Sequence, residues 1–202
     1  VFIIMIDWIK NINKDYPEFW KNYLTKFETR PKRYVALSID YSGVNPQKDV
    51  IMAFGAVGIE NDKINIGDFF EVVLLQYIYL HENGLSNEAI IESKQPKLGE
   101  REAIQAFIEF LGNAVLVGHK INLSIDLINA ALEKMNCGRL KNDAIDIEIM
   151  YKKYKDTSEK SYTIDDLCNE FKLPIIEETA IPDLAYTVSL LFLKLKSRLG
   201  LK

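Results

Sequence analysis

Three stretches of this chain carry residue types that could do chemistry. The first, Tyr34-Val35-Ala36-Leu37-Ser38-Ile39-Asp40-Tyr41-Ser42-Gly43-Val44, sets Ser38 and Asp40 two positions apart in an apolar run. The second, Leu116-Val117-Gly118-His119-Lys120-Ile121-Asn122-Leu123-Ser124, passes from apolar residues through a histidine and a lysine to a serine. The third, Glu178-Thr179-Ala180-Ile181-Pro182-Asp183, places two acids ahead of an apolar helix. Carboxylates such as Asp40, Glu178 and Asp183 supply the anionic oxygens that hard cations like Mg²⁺ prefer, whereas the hydroxyls of Ser38 and Ser124 are neutral. Strand alternation puts Ser38 and Asp40 on one face. Asp126 lies close to Ser124 in sequence, but two steps along a helix is a rotation of about 200°, so it is expected to face away.

The elements that must position these residues can be read from patterning. Residues 34–40, 50–59 and 63–75 read as three successive strands, separated by Ser42-Gly43-Val44-Asn45-Pro46 and Asn61-Asp62 turns. A helix at about 100–112, a short buried strand at Ala114–Val117 and a helix at about 122–136 come next. A strand around Asp143–Glu148, a helix at about 162–171 and a long helix at about 180–198 complete the order. Three meandering strands and then alternating helices and strands predict an α/β fold, a mixed sheet flanked by helices. Lys152 to Lys160 is charge-rich and reads as a solvated loop, with phosphate contact by its lysines as the sharper alternative.

Residues 1–33 form an N-terminal helical extension ahead of a domain spanning 34–202. Asp15-Tyr16-Pro17-Glu18 reads as a helix start, with Asp15 as N-cap and Glu18 closing a capping box. Tyr16, Phe19, Trp20, Tyr23, Leu24 and Phe27 then recur at three- and four-residue steps, one aromatic face of an amphipathic helix. That face is expected to pack on the adjoining domain. The alternative is a surface for a protein partner or a homodimer, because Phe2, Met5, Ile6, Trp8 and Ile9 add further apolar area.

Bulk properties narrow the classes. With 25 basic and 29 acidic side chains the formal net charge is −4, which lacks the basic footprint of a tight nucleic-acid binder. The two cysteines, Cys137 and Cys168, are far apart and show no zinc-ligand spacing, so reduced thiols are expected. The apolar run Val1 to Ile6 is far shorter than the roughly 20 residues of a membrane span and lacks a basic n-region. No membrane association and a cytoplasmic location are therefore expected.

In order and spacing the motifs resemble the DnaQ-like (DEDD, His-type) 3′→5′ exonucleases of the RNase H-like fold, such as the DNA polymerase III epsilon-subunit-like exonuclease domain. The likeness runs from Tyr34 to about Leu199. Ala53-Phe54-Gly55-Ala56-Val57 looks like the second strand, Leu116-Val117-Gly118-His119 like the strand end before the second acidic motif, and Ala144-Ile145-Asp146 like the strand after it. Ser161-Tyr162-Thr163-Ile164-Asp165-Asp166-Leu167-Cys168 resembles a helix start of that family, and Asp183 opens what resembles its last helix.

The resemblance implies two divalent metals, Mg²⁺ or Mn²⁺, caged by four carboxylates, with a histidine base. Here Gly43 sets the register: Ser38 stands where the bridging aspartate belongs, Asp40 at the glutamate position and Ser124 at the second aspartate. Asp183 keeps the last acid, and Glu178 replaces the histidine five residues before it. Only Asp40 and Asp183 remain as metal positions if any metal binds. Glu178 reads as an exposed acid beside Glu177, with a displaced ligand as the alternative; a glutamate titrates too low for a good base at neutral pH.

His119 reads as a structural strand-end histidine. His81 falls where the family has a compact element against the terminal nucleotide, which Glu82-Asn83 interrupts. Lys120 replaces an asparagine and would bring positive charge to the old metal pocket, holding a phosphate without cleaving it. The expectation is thus a catalytically degenerate pseudo-exonuclease without a resident cofactor, retained as a scaffold or as a subunit binding single-stranded nucleic acid or nucleotide. An active exonuclease with an unusual ligand set and a protein-interaction module without a nucleic-acid role are the alternatives. Ending at the last helix, the sequence is expected to lack the C-terminal segment by which some relatives attach to a polymerase.

Overall fold

Burial along β1 (Arg33–Tyr41) decides the two faces of the molecule. Val35, Leu37 and Ile39 join one apolar cluster while Tyr34 and Ala36 join another. That is the period-two signature of a strand covered on both sides. The computed structural model describes residues 15–76, 96–158, 160–175 and 181–201.

Around β1 the sheet has six strands. β2 (Ile51–Glu60) and β3 (Lys63–Leu75) continue from it as an antiparallel meander, and β4 (Lys97–Gly99) lies parallel on the far side of β3. On the other side of β1, β5 (Val115–Gly118) and β6 (Ala144–Asp146) run parallel, giving the order β4-β3-β2-β1-β5-β6. This is the mixed RNase H-like arrangement expected from the sequence. One face is covered by α1 (Glu18–Thr25), α2 (Glu100–Leu111) and α3 (Ile121–Lys134), whose Trp20, Phe107 and Leu132 pack with Val35 and Leu37. α4 (Ile147–Lys155), α5 (Ile164–Phe171) and α6 (Ile181–Arg198) cover the other, with Met150, Leu167 and Phe192 against Ala36 and Val117. Ser38 and Asp40 lie two and four positions beyond Ala36, so alternation assigns them to this second face. No helix among the described residues is long and apolar enough to cross a membrane.

The aromatic stripe of α1 turns inward. Trp20 and Tyr23 are each 1% exposed and sit in the sheet-facing cluster. The Tyr23 hydroxyl donates to Asn142 Oδ1 at 2.6 Å and accepts from the Lys141 amide at 2.8 Å. Asn142 in turn donates to the carbonyls of Gly112 and Ala114, at 3.0 and 2.7 Å. Burial raises the Tyr23 phenol well above its ordinary pKa, against the lowering effect of its contacts with the Lys141 and Asn142 backbone. Residues 1–14, with Phe2 to Ile9, lie outside the described residues.

Three local expectations need correction. α1 begins at Glu18 with Pro17 at the cap and no side-chain capping bond. A capping box needs an N–H on the cap residue for the returning carboxylate, and proline has none. The strand expected at 143–148 is only Ala144–Asp146, because Asp146 caps a helix there, accepting the Glu148 amide at 2.8 Å. The expected loop at 152–160 is therefore helical as far as Lys155, where Asp156 turns left-handed at φ 51°. Within it Lys152 pairs with Glu148 at 2.9 Å and Lys155 with Glu170 at 2.7 Å.

Candidate active site

The turn after β1 is built around Asp49. Its carboxylate accepts the Ser42 hydroxyl at 3.1 Å and the Asn45 amide at 2.8 Å. A Cβ on Gly43 would lie 2.6 Å from Asp49 Oδ2, so a side chain there would have to displace the Asp49 carboxylate. The turn fixes where β1 ends, and with it the depth of Ser38.

Between the two faces a cavity of about 190 Å³ opens over that strand end. Ser38 and Tyr41 come from β1, Lys120 and Ser124 from the start of α3, and Leu184 and Val188 from α6. The two serines assigned to missing aspartates thus meet in one cavity, with Lys120 beside them. Ser124 is 9% exposed, and Lys120 lies at the solvent side. Among the described residues no aspartate or glutamate lines the wall. Asp40 is exposed, its carboxylate accepting the amide of Tyr41 at 2.9 Å, and Asp183 is exposed in the first turn of α6. Glu178 and His81 lie outside the described residues.

Asp126 faces away, as its helical rotation requires. It pairs with Arg139 at 3.1 Å and lines a different cavity, with Pro46 and Gln47.

The end of β5 and the start of α3 set the shape of the cavity. A Cβ on Gly118 would lie 2.5 Å from Ile121 Cδ1, so glycine lets the strand close onto α3. Lys120 takes the left-handed conformation, φ 51° and ψ 42°, as the cap of α3. His119 Nε2 lies 2.7 Å from the Tyr162 carbonyl, which only accepts, so this nitrogen carries the proton and donates. That bond ties the end of β5 to the segment before α5.

Sequence reasoning missed the two acids behind it. Asp146 accepts the Ile121 amide at 3.2 Å as well as that of Glu148, so one carboxylate serves the starts of both α3 and α4. Glu148 is 6% exposed, accepts the Tyr162 amide at 3.1 Å and lies 3.9 Å from His119 Nε2. Desolvation pushes its carboxyl up, but the Lys152 ammonium, the Tyr162 amide and the Ser161 hydroxyl outweigh that and hold it below the usual range. The Glu148–Lys152 spacing of four was the available signal.

Two-metal hydrolysis needs carboxylates from several elements converging on one point. The cavity wall offers hydroxyls, an ammonium and the ring of His119, whose Nε2 is held by the Tyr162 carbonyl, and no group of three or more His, Cys, Asp or Glu among the described residues could hold a metal ion. The described residues do not fit a caged pair of divalent cations.

A three-strand meander joined to a parallel β1–β5–β6 half, helices on both faces and a cleft over the end of β1 define an RNase H-like α/β fold. The family model for exonuclease (RNase_T) matches residues 41–191, and the chain belongs to that exonuclease family, DnaQ-like in its motifs. Among curated relatives, the PolC-type DNA polymerase III of Caldanaerobacter subterraneus subsp. tengcongensis is 28% identical over 169 residues, covering 82% of this chain and 12% of that protein. The PolC-type enzyme of Ureaplasma parvum is also 28% identical, over 153 residues, covering 73% and 10%. Among solved structures, E. coli exonuclease I in complex with a dT13 oligonucleotide superposes with a TM-score of 0.64 at 12% identity, covering 84% of this chain and 42% of that one. The exonuclease I of Methylocaldum szegediense gives 0.63 at 13% identity, covering 83% and 41%. The chain therefore spans about a tenth of these polymerases and about two fifths of these nucleases.

Proposed function

We propose that this chain is a catalytically degenerate exonuclease-fold protein, a scaffold or subunit that binds single-stranded nucleic acid and does not hydrolyse it. One observation carries the reading: Ser38 and Ser124 share a cavity whose wall, among the described residues, holds Lys120 and no carboxylate. Readying a water and stabilising a leaving oxygen both rest on the caged metals, and losing groups that act as a unit costs orders of magnitude in rate. The family match begins at residue 41, just past Ser38 and Asp40, which accords with an altered first motif. The binding part leans on exonuclease I, a neighbour in fold that has been solved with an oligonucleotide. No resident metal belongs to the proposal. A cytoplasmic setting suits the two free thiols, Cys137 and Cys168. With Trp20 and Tyr23 committed to the core, association through the N-terminal segment falls to Phe2–Ile9.

The test uses the full chain with fluorescently labelled dT20 in Mg²⁺, Mn²⁺ or EDTA, read by anisotropy for binding and by gel for length. Binding with undiminished length in all three is the expected result. Metal-dependent shortening that disappears in Asp183→Ala would establish an active exonuclease and overturn the proposal. Absence of both binding and digestion would also overturn it, in favour of a protein-interaction module.

A further inference from the structure

The cavity over β1 holds polar groups left without partners. Ser124 is more than nine-tenths buried and lines the cavity, yet its hydroxyl has no hydrogen-bond partner among the described residues. The side chains of Ser38 and Lys120, on the same wall, have none there either. Lining one cavity, these three donors are available to whatever fills it.

The remaining surroundings select its charge. Leu123, Ile164, Leu184 and Val188 make much of the wall apolar, which strengthens electrostatic attraction inside it. Among the described residues of the lining, Lys120 and His119 are the basic side chains and none is acidic. The cavity also sits at the amino end of α3, a helix of 14 residues with no acid in its first turn, where the backbone dipole favours an anion. Asp146 already places a carboxylate at that end, accepting the Ile121 amide, and offsets part of this attraction. Asp40 is outside the wall and folded onto its own neighbour's amide. At about 190 Å³ the cavity falls below the roughly 300–1,000 Å³ of sites that enclose whole drug-sized ligands. It suits a small group at the end of a larger molecule.

We propose that this cavity binds a phosphate monoester without metal, the Lys120 ammonium and the Ser38 and Ser124 hydroxyls taking the places of the cations. A terminal phosphate on a nucleic-acid strand, a mononucleotide or inorganic phosphate would present the same dianion. The inference rests on the reading of a binding, non-hydrolysing cleft and names the group that cleft takes.

Calorimetry on the full chain in EDTA separates the sources, using inorganic phosphate, dTMP, dT5 with a 3′-hydroxyl and dT5 with a 3′-phosphate. The 3′-phosphorylated strand should bind at least about tenfold more tightly than the 3′-hydroxyl strand. Lys120→Asn, whose side chain suits the left-handed backbone at that position, and Ser124→Ala should each remove most of that difference. Asp40→Asn should widen it, by removing a nearby negative charge. Inorganic phosphate and dTMP that bind as tightly as the phosphorylated strand would support the site and show that it reads phosphate alone. Equal affinity for both strands, a preference that requires Mn²⁺, or a preference unchanged in Lys120→Asn would each overturn the inference. If dT20 binds undigested while the 3′-phosphate adds nothing, only this inference fails; if dT20 is digested, the functional reading fails first.

Discussion

Replacing Ser38 and Ser124 together by aspartate would return two carboxylates to the cavity and make its stability depend on metal. Ser124 is 9% exposed, so the charge introduced there is largely desolvated. Full burial raises a carboxyl by as much as 3–5 pKa units, roughly. Lys120 on the same wall and the amino end of α3 offset part of that, leaving a rise of about 2 units from the unfolded value near 3.9. At about 1.4 kcal/mol per unit, the carboxyl at position 124 should by itself cost the metal-free double variant roughly 3 kcal/mol, or roughly 6–12 °C in melting temperature for a chain of this length. Linkage gives the sign. Below about pH 4 the new carboxyls are protonated in both folded and unfolded states and cost little. The loss grows as pH rises through the unfolded value and is complete above the folded one, so it is large at pH 8 and small at pH 4.

Metal should reverse it. A cation present at one hundred times its dissociation constant stabilises by about 2.7 kcal/mol, close to the whole loss. Thermal melts at pH 4 and pH 8, with and without Mn²⁺, measure all of this directly. Wild type should show no manganese shift, and the double variant should recover most of its deficit at pH 8. Adding Glu178→His to that pair should then bring metal-dependent digestion of dT20. A folded double variant that ignores manganese would refute the placement of these serines at the cation positions. A wild-type protein stabilised by several degrees would refute the reading that its cavity has lost them.

Tyr23→Phe removes a buried hydroxyl that joins α1 to Lys141 and Asn142, and urea titration should show a loss of about 1–3 kcal/mol. Asp146→Ala frees the Ile121 and Glu148 amides at once; at about 0.5–2 kcal/mol per cap, its denaturant midpoint should fall more than that of either single-contact change. Glu148 has a depressed folded pKa, so its contribution is present at neutral pH and disappears as pH falls through that value. The stability gap between wild type and Glu148→Gln should accordingly be about 1–3 kcal/mol at pH 7 and close toward pH 3. Lys120→Gly relieves a left-handed lysine at φ 51° and should raise stability by about 1 kcal/mol in thermal melts, while weakening capture of the 3′-phosphorylated strand.

Local periodicity set the limit of what the residues alone could tell. Helical rotation separated Asp126 from Ser124, and the two line different cavities; alternation along β1 grouped Ser38 with Asp40, whereas the cavity takes Leu37, Ser38 and Ile39 in succession and leaves Asp40 outside. The period of α1 also showed an aromatic stripe, but periodicity does not say what a stripe faces. Its anchor, Asn142, is 119 residues away. The same limit hid Asp146 and Glu148. Alternating isoleucines from Ile145 to Ile149 suit a strand, and the carboxylate that instead starts α4 also reaches back to α3, a tertiary bond with no local trace. Lys155 looked solvated for the same reason, since the acid opposite it comes from α5, whereas the partner of Lys152 lies one helical turn back at Glu148.

The division between what resembles an exonuclease and what does not runs along a physical line. Gly118, His119, Tyr162, Asp146 and Glu148 bind one another through backbone closure and hydrogen bonds that need no metal. They hold the cleft open whether or not anything reacts in it, and removing one would leave buried polar groups unpaired. Carboxylates at Ser38 and Ser124 would do the opposite. Without cations they would be like charges crowded into a partly apolar cavity, a standing cost to the fold. A serine at each place keeps the volume small and removes the repulsion. Once catalysis no longer depends on that pair, folding stability favours hydroxyls there and favours keeping every group that shapes the walls. On the proposed reading, the cleft keeps a nuclease's outline and takes on the electrostatics of a phosphate receptor.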